Sequence, residues 1–492
     1  MALLHFWMAV PLHLAVVYLA SGVASLIFLR AVFRAVFTPL RSVPGPFLAR
    51  FSRLWYLYKL WEGNFEKVNI ELHRKYGSIV RVSPYEYSID DPAAVRPIYG
   101  HGTRFLKGHW YDGSSNPDFH TEELFSDRDP KVHAANRRKF SSVYTMGVML
   151  KMKQPVDECI ELFVQILSEA LGSGGEMDLR WSMQCFAFDA IAAISVAKRF
   201  GFLDSMTDPF SLISTLDGFL LYSTHVGVYS EVHKLLFRIV KRIDMHGSAK
   251  AMEFAISQVK QRLEDQKDPE KSVEGQDFLV RLLRMHQEEP RNIRMEDVIG
   301  IIWGNFLAGS DTTSLSLTSI IYHLYKTRLS FKLLAEIDEK NAAGELSNPV
   351  TTNEIWIKFG HGSRTCIGKN ISIMEISKLV PTLLRKFDFQ LASPEVEVDN
   401  LCRAFIKQKN IKFTEEKLDF NNATVSAKSS SKPIVLTVKI KSPEALLISF
   451  DGQKSFPTTP ENMSLAIHYT CPPRSRYPAL SFCAQPMPNL PG

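Results

Sequence analysis

Residues 359–368 read F-G-H-G-S-R-T-C-I-G, and this stretch decides the fold of the 492-residue chain. Gly360, Gly362 and Gly368 permit positive φ angles and close approach of the backbone, which a side chain would prevent. Apolar residues follow at roughly helical spacing, so we expect Cys366 to lie at the N-terminus of a helix. Backbone amides and the helix dipole favour an anionic sulfur there. The stretch therefore predicts a thiolate presented on a glycine-rich loop.

The ten residues meet every fixed position of the signature F-x-x-G-x-R-x-C-x-G, and so resemble the heme-binding loop of the cytochrome P450 heme-thiolate monooxygenases. The resemblance implies that Cys366 is the axial ligand of the heme iron, that Arg364 pairs with a heme propionate and that Phe359 packs near the ring. It also assigns Gly362 and Gly368 to the heme-binding loop. The alternative is an inert, buried cysteine in a glycine-containing turn. The complete match favours the thiolate ligand.

A second motif, A-G-S-D-T-T at residues 308–313, lies inside a long apolar segment. Gly and Thr are costly in the middle of a helix, so a helix that contains them has a reason to keep them. The motif resembles the oxygen-binding groove of the same family. The resemblance implies that Ala308 and Gly309 lie against the cofactor, with Gly309 letting the backbone approach bound dioxygen, and that Asp311 and Thr312 organise water and deliver protons. A kinked core helix is the alternative.

His133 and Arg137 are four residues apart on a predicted helix and therefore share one face. The corresponding helix of the family carries W-x-x-x-R, which binds a heme propionate, and His133 stands where that Trp would be. Two alternatives stay open. With Arg138 and Lys139 this is a solvated basic face, or the face receives an acidic redox partner.

The resemblance implies a complete chemistry for the chain. The cofactor would be heme b, iron protoporphyrin IX, and the reaction the insertion of one oxygen atom from O2 into a hydrophobic small molecule, as in fungal members that modify secondary metabolites. The Cys366 thiolate would push electron density into the iron and promote O–O cleavage. Electrons would come from NADPH through a separate flavin reductase, because the chain has no G-x-G-x-x-G fingerprint. Residues 219–222 would suit a hydrophobic substrate pocket or, as readily, ordinary core packing.

Composition and cysteine spacing exclude some classes of protein. The chain is 45% hydrophobic with a net charge of +6, and no Lys/Arg block interleaved with aromatic residues indicates nucleic-acid binding. Its six cysteines are scattered and form no C-x-x-C pair, which argues against a structural zinc site and a disulfide scaffold. We therefore expect the cysteine-bearing body to face a reducing compartment.

Residues 1–38 are predicted to form an N-terminal membrane anchor. The part from residue 12 to 29 is almost wholly apolar and long enough for a transmembrane helix. A cleaved signal peptide is the alternative, but a basic region before the apolar run is missing. The arginines that follow precede the first acidic residue, Glu62, so the positive-inside rule places the body in the cytosol. The resemblance implies a single-pass protein of the endoplasmic reticulum. Prolines at residues 39–50 predict a stiff hinge.

The apolar pattern predicts a mainly α fold with a small β-sheet. It is helical from about residue 129 to 260, with breaks near 172–175 and 204–209, and again from about residue 295 to 326. A turn followed by alternating residues predicts a β-hairpin at residues 75–89.

The monooxygenase domain, residues 51–413, resembles an incomplete cytochrome P450 fold. The interval between Thr313 and Cys366 is too short for the family's helix bearing E-x-x-R, small sheet and meander, and no glutamate in it has an arginine three residues on. We expect an internal deletion near residues 351–354. A catalytically inactive, truncated or mis-spliced member without stable heme is therefore the alternative function.

Resemblance ends near Phe413. Residues 414–492 hold ten of the 26 prolines and a run of three serines, so we expect a largely disordered tail with a lone strand at 434–440. A read-through product and a genuine appendage both fit this composition.

Overall fold

The computed structural model describes residues 12–38, 41–118, 124–173, 176–243, 248–265, 277–326, 359–391, 399–402, 406–409, 411–415, 434–440 and 484–485. The described helices are α1 (Leu12–Val36), α2 (Leu54–Trp61), α3 (Phe65–Tyr76), α4 (Val95–Tyr99), α5 (Pro130–Phe140), α6 (Met146–Lys151), α7 (Lys153–Gly172), α8 (Leu179–Val196), α9 (Phe202–Ser205), α10 (Leu212–Val228), α11 (His233–Arg242), α12 (Ser248–Asp265), α13 (Phe278–Glu288), α14 (Met295–Lys326) and α15 (Lys369–Lys386). The described strands are β1 (Ile79–Arg81), β2 (Tyr87–Ile89), β3 (Leu106–Lys107), β4 (Glu176–Asp178), β5 (Phe387–Leu391), β6 (Asp399–Cys402), β7 (Ile406–Lys409), β8 (Ile411–Glu415), β9 (Ile434–Ile440) and β10 (Ala484–Gln485). The predicted junction at 351–354 lies outside the described residues.

The core is built around α8, which is buried along almost its whole length. Asp178 begins this helix by accepting a hydrogen bond from the amide of Trp181, as N-cap residues do. Helix α14 packs along α8, while α7 and α15 complete the main apolar cluster. Each large side chain buried in it contributes about 1.5–3 kcal/mol. The packing therefore fixes α14 and α15, which carry the two motifs.

Most of the predicted elements are confirmed. The long apolar helix runs from Met295 to Lys326, and β1 pairs with β2 as an antiparallel hairpin. Helix α7 ends at Gly172, and α9 ends at Ser205, where the breaks were predicted. Strand β4, directly after the first break, was not predicted.

Small sheets lie around the helical core, as the predicted mainly α fold requires. The largest described sheet has the strand order β4-β8-β9-β5, and β1–β2, β6–β7 and β3–β10 form two-stranded pairs. Strand β5 follows α15 without a loop, so this sheet is coupled directly to the helix that starts after Cys366.

The tail contains more structure than its composition predicts. Residues 434–440 form the predicted strand, but the strand is not alone: β9 pairs antiparallel with β5 and parallel with β8. Residues 484–485 pair with β3. The sequence predicted the strand at 434–440 but neither its two partners nor the pair at 484–485, and the remainder of 416–492 lies outside the described residues.

The N-terminal segment forms the predicted helix. Within α1, the segment His13–Phe33 is long and apolar enough to cross a membrane, and none of it is buried against the rest of the protein. The proline-rich hinge is docked on the hairpin, because the Arg81 amide donates a 2.8 Å hydrogen bond to the Pro44 carbonyl. A Cβ at Gly45 would lie 2.3 Å from the Arg81 carbonyl oxygen, so this contact requires glycine.

Candidate functional site

The loop that presents Cys366 is built by its own backbone. The Cys366 amide donates a 2.7 Å hydrogen bond to the Phe359 carbonyl and closes the loop on itself. Gly360 has φ +76° and Gly362 has φ +64°, so the predicted need for glycine is confirmed at both positions. At Gly368 φ is −83°, so positive φ does not explain the glycine there, and this residue is the N-cap of α15. Its predicted place against the cofactor stays a prediction.

The Cys366 thiol is exposed, whereas the other cysteines of the described chain, Cys159, Cys185 and Cys402, are buried. Protein atoms crowd around the loop, and the resulting desolvation raises the pKa of the Cys366 thiol above its usual value. The Gly368 and Lys369 amides and the Arg137 guanidinium lower it, as expected at a helix N-terminus, but desolvation is the larger effect. A bound cation at the sulfur would reverse that balance, since a metal ion stabilises the thiolate directly.

The guanidinium of Arg364 joins the cysteine loop to the segment before α5. It donates to the main-chain carbonyls of Asp127 at 2.8 Å and Arg128 at 3.3 Å. A heme propionate, which the resemblance pairs with Arg364, would share the guanidinium with these two carbonyl groups. Such a fork fixes the distance between the cysteine loop and the start of α5.

Basic side chains gather beside this loop from three parts of the chain, with Arg137 and Arg364 as its permanent charges. His133 is buried on α5, and desolvation together with Arg364, Lys107 and Arg137 lowers its pKa to about 4. Desolvation and Arg364 lower the pKa of Lys107 to about 7. The half-buried Arg137 is close enough to Cys366 to interact with its charge. The site thus concentrates positive charge, which suits an anionic ligand.

The basic residues of helix α5 lie on two different faces. This distinguishes a pair that faces the cysteine loop from a solvated basic face. His133 and Arg137 lie inward, on one face as predicted, while Arg138 is exposed. The inner pair belongs to the cationic cluster near Cys366, and only the outer part of the run is a solvated basic face.

The motif on α14 exposes a narrow stripe of backbone. Ala308 is exposed, and the hydroxyl of the half-buried Thr312 donates a 2.6 Å hydrogen bond to the Ala308 carbonyl. A Cβ at Gly304, one turn earlier, would meet no atom within 4 Å. Gly304 was missed in the sequence because it lies outside the motif. The stripe leaves room for a ligand against the backbone of the helix.

Gly309 lies against the neighbouring helix α8. A Cβ at this position would lie 2.8 Å from Cγ1 of Ile191, so the glycine allows the two helices to pack closely. This packing is a reason for glycine that the sequence did not reveal. The predicted approach of dioxygen to Gly309 stays a prediction.

Asp311 and Thr312 are not brought together. The Asp311 side chain is 2% exposed and accepts a 3.1 Å hydrogen bond from Nε2 of Gln184 on α8. Thr312, the next residue, is half-buried on the exposed stripe. The two side chains lie on different faces of α14, because successive residues of a helix are about 100° apart. Gln184 was missed because no local pattern reveals which helix packs against α14.

Hydrogen bonds tie the two motifs to each other. The hydroxyls of Thr313 on α14 and Ser372 on α15 are 2.8 Å apart. Tyr144, after α5, bonds Asn305 of α14 through its hydroxyl, and its carbonyl accepts from Nδ2 of Asn370 at 2.8 Å. Cys366 and the Ala308 stripe therefore belong to one rigidly connected region.

Two open grooves do not reach Cys366 itself. One, of about 690 Å³, is lined by residues between 93 and 103 and by His361 of the cysteine loop, and the other, of about 500 Å³, lies between α5 and α13. Neither includes Cys366 or Ala308 in its lining. In α10, Phe219 and Leu220 pack into the main core, which favours ordinary packing for these two residues of the predicted pocket.

Comparisons with known proteins give the site its context. A family model described as Cytochrome P450 matches residues 44–349 and 340–414. Among curated proteins, the chain is 27% identical over 461 residues to pisatin demethylase of Fusarium vanettenii, covering 76% of this chain and 88% of that protein. It is 26% identical over 467 residues to the cytochrome P450 monooxygenase gsfF of Penicillium aethiopicum, covering 76% and 92%. It is 29% identical over 345 residues to the cytochrome P450 monooxygenase hepC of Aspergillus oryzae, covering 65% of each chain.

Proposed function

Because the chain belongs to the cytochrome P450 family of heme-iron monooxygenases, we propose that it binds heme b through Cys366 and oxidises a hydrophobic small molecule of fungal secondary metabolism. One observation carries the proposal. The Cys366 thiol is exposed at the start of a helix, beside a cluster of cationic side chains, while the other described cysteines are buried. A soft donor next to concentrated positive charge suits an iron porphyrin, which offers one metal ion and two carboxylates.

The residues present fit such a cofactor. Cys366 would supply the axial sulfur, and a bound iron would stabilise its thiolate against the desolvation that raises the pKa of the free thiol. His133, Arg137 and Arg364 would surround the propionates, as the resemblance implies, and Lys107 lies beside them. The low pKa of His133 means that its ring is neutral near pH 7, so it would act as a hydrogen-bond donor to a carboxylate.

The opposite wall of the site would be the stripe on α14. When bound, the heme supplies the activation of O2. Ala308 and Gly304 would leave space for it, and Thr312 would hold a hydroxyl near that space. Asp311 would be the acid that supplies protons, from a buried position behind Thr312.

The substrate class follows from the relatives by analogy. Pisatin demethylase is named for a demethylation, and gsfF and hepC are fungal monooxygenases. A small, hydrophobic secondary metabolite is therefore proposed here. Electrons would come from NADPH through a separate flavin reductase, and the exposed Arg138 on α5 supports docking of an acidic partner at this face.

The proposed location is the endoplasmic reticulum membrane, with a single span and a cytosolic body. Helix α1 supports the span. Helix α11 supports a second contact with the bilayer surface, because Leu235, Ile239 and Ile243 at its exposed apolar face lie among basic residues. Protease added to intact microsomes should digest the body, and protection of the body would contradict this orientation.

A second candidate function, an inactive family member, is favoured by the gap in the chain. The alignment with the demethylase is 461 positions long, yet it covers only 76% of the 492 residues of this chain. Part of the demethylase therefore aligns with gaps in this chain. The family model likewise matches in two segments that meet at 340–349. We propose that the gap lies at this junction and removes the E-x-x-R helix, whose loss would leave apolar surface uncovered near the cofactor.

One experiment separates the two functions. The full 492-residue chain and its Cys366→Ala variant are expressed in membranes, and the reduced, carbon monoxide-bound difference spectrum is recorded for each. The monooxygenase predicts the red-shifted band of thiolate-bound heme, lost in the variant. A band absent from both, or equal in both, would support the inactive member.

A further inference from the structure

Asp311 is held by a side chain that no motif contains. Its Oδ1 accepts a 3.1 Å hydrogen bond from Nε2 of Gln184, and both residues are at most 2% exposed. The donor comes from α8, 127 residues earlier in the chain. A buried carboxylate is costly unless donors surround it, so this contact bears directly on the orientation of Asp311.

The orientation of the Gln184 amide is itself determined. Arg180, one turn earlier on α8, donates from Nη1 to Oε1 of Gln184 at 3.2 Å. Because a guanidinium can only donate, the oxygen of the amide must face Arg180 and the NH2 group must face Asp311. The half-buried Arg180 thus connects to the buried acid through one amide.

Close packing holds α14 against α8 beside this contact. Gly309 brings α14 so near to α8 that a single added carbon would clash with Ile191. On the other face of α14, the Thr312 hydroxyl donates to the Ala308 carbonyl. The carboxylate is therefore directed toward α8 and away from the exposed stripe.

We propose that Gln184 is a positioning residue for the reaction: it holds Asp311 in the retracted orientation from which the acid is released to deliver protons. The inference rests on the proposed function. It adds a residue of α8, oriented by Arg180, to the proton-delivery machinery.

The test combines two variants and their double. In full-length, heme-loaded protein with NADPH and a purified flavin reductase, O2 itself is the probe, so no organic substrate is needed. Gln184→Leu should change the rate of O2 consumption by roughly tenfold, which is less than the roughly 10²–10⁴-fold that a positioned acid contributes because Asp311 itself is kept, and should change the H2O/D2O rate ratio. In an Asp311→Asn background, the same substitution should change neither quantity. Additive effects in the double variant would overturn the proposal.

Controls distinguish positioning from general damage. Gln165→Leu removes a comparable amide-to-carboxylate hydrogen bond, to Glu169 at 2.8 Å, on the exposed face of α7, and should leave O2 consumption and its isotope ratio unchanged. Gln184→Glu should keep the shape of the side chain but not rescue the rate, because it removes the donor.

Failure of the proposed function remains distinguishable. If the thiolate-heme band is absent, the monooxygenase proposal fails. The interaction between Gln184 and Asp311 is then measured by thermal unfolding of the same full-length variants. The losses in Tm for Gln184→Leu and Asp311→Asn should then be smaller in combination than their sum. Additive losses would show that the two side chains do not act on each other, which would overturn the inference.

Discussion

The hydroxyl of Tyr144 donates a 2.6 Å hydrogen bond to Oδ1 of Asn305, across 161 residues of sequence. Both side chains are 6% exposed, and Nδ2 of Asn305 reaches Ser195 on α8 at 3.4 Å. Burial raises the pKa of the Tyr144 phenol, so it stays a donor at every physiological pH. This bond joins the segment after α5 to α14, and the Tyr144 carbonyl continues it to α15 through Asn370.

Replacing Tyr144 by Phe should lower the free energy of unfolding by about 1–3 kcal/mol, because the Asn305 oxygen is left buried without its donor. Thermal unfolding of the two proteins measures the loss. Adding Asn305→Leu to Tyr144→Phe should cost less than the sum of the single changes, since neither polar group then remains unpaired. Independent, additive losses would show that the hydrogen bond does not couple the segment after α5 to α14.

Gly362→Ala should destabilise the cysteine loop strongly. The residue has φ +64°, and an added Cβ would lie 1.9 Å from the Tyr99 carbonyl oxygen. Positive φ alone costs a non-glycine residue about 1–3 kcal/mol, and the clash adds to it. Gly368→Ala is the matched control, because φ is −83° and the nearest atoms are 4.0 Å away. Differential scanning calorimetry should show a clear loss in Tm for the first variant and little for the second; equal losses would contradict the loop geometry.

Sequence patterns predicted the elements whose signals are local. The bounds of α14 follow from a long, mainly apolar segment, and the β1–β2 hairpin from a turn between alternating residues. The loop around Cys366 follows from its glycines, two of which have the expected positive φ. In each case neighbouring residues alone determine the backbone.

What the patterns could not predict depends on packing between distant segments. The packing of Gly309 against Ile191 was not predicted, because it depends on α8 lying on that side of α14. Lys107 joins the cationic cluster from β3, far from any motif, and Gln184 reaches Asp311 from α8. No local periodicity carries this information. The roles of the site residues accordingly remain predictions.

Glu375 should make stability depend on pH. It is fully buried on α15, and neither carboxylate oxygen has a hydrogen-bond partner among the described residues. Desolvation raises its pKa to about 8; Thr313 lowers it slightly, although the Thr313 hydroxyl is bonded to Ser372. The folded protein therefore keeps this proton up to about pH 8, whereas the unfolded chain releases it near the ordinary pKa of 4.5. The unfolded state binds fewer protons in that window, so the free energy of unfolding falls as pH rises.

Glu375→Gln imitates the protonated form and should remove this slope, which is at most about 1.4 kcal/mol per pH unit. The variant should be more stable than the natural chain at pH 8 and similar to it at pH 5. Tm measured from pH 5 to 8 checks the difference. Glu161→Gln on the exposed face of α7 is the control and should leave the slope as it is. A slope that survives in Glu375→Gln would assign the pH dependence to another group.

The tail strand should be part of the folded sheet. Strand β9 lies between β5 and β8 and pairs along the whole of β5, from Phe387 with Ile440 to Leu391 with Leu436. Ending the chain after residue 433 should lower the free energy of unfolding by several kcal/mol, because ladder hydrogen bonds worth about 1 kcal/mol each are lost on both sides of β9. Ending it after Ile440 keeps β9, and this second chain should retain most of the stability.

Amide hydrogen exchange in β5 decides whether the sheet depends on the tail. Strand β9 is parallel to β8 and antiparallel to β5, so β5 and β8 run antiparallel to each other. They could pair directly if β9 were absent. We expect residues 387–391 to lose protection in the chain that ends at 433 and to keep it in the chain that ends at 440. Full protection in both would mean that β5 and β8 close on each other, and that the tail strand is dispensable for the helix that begins after Cys366.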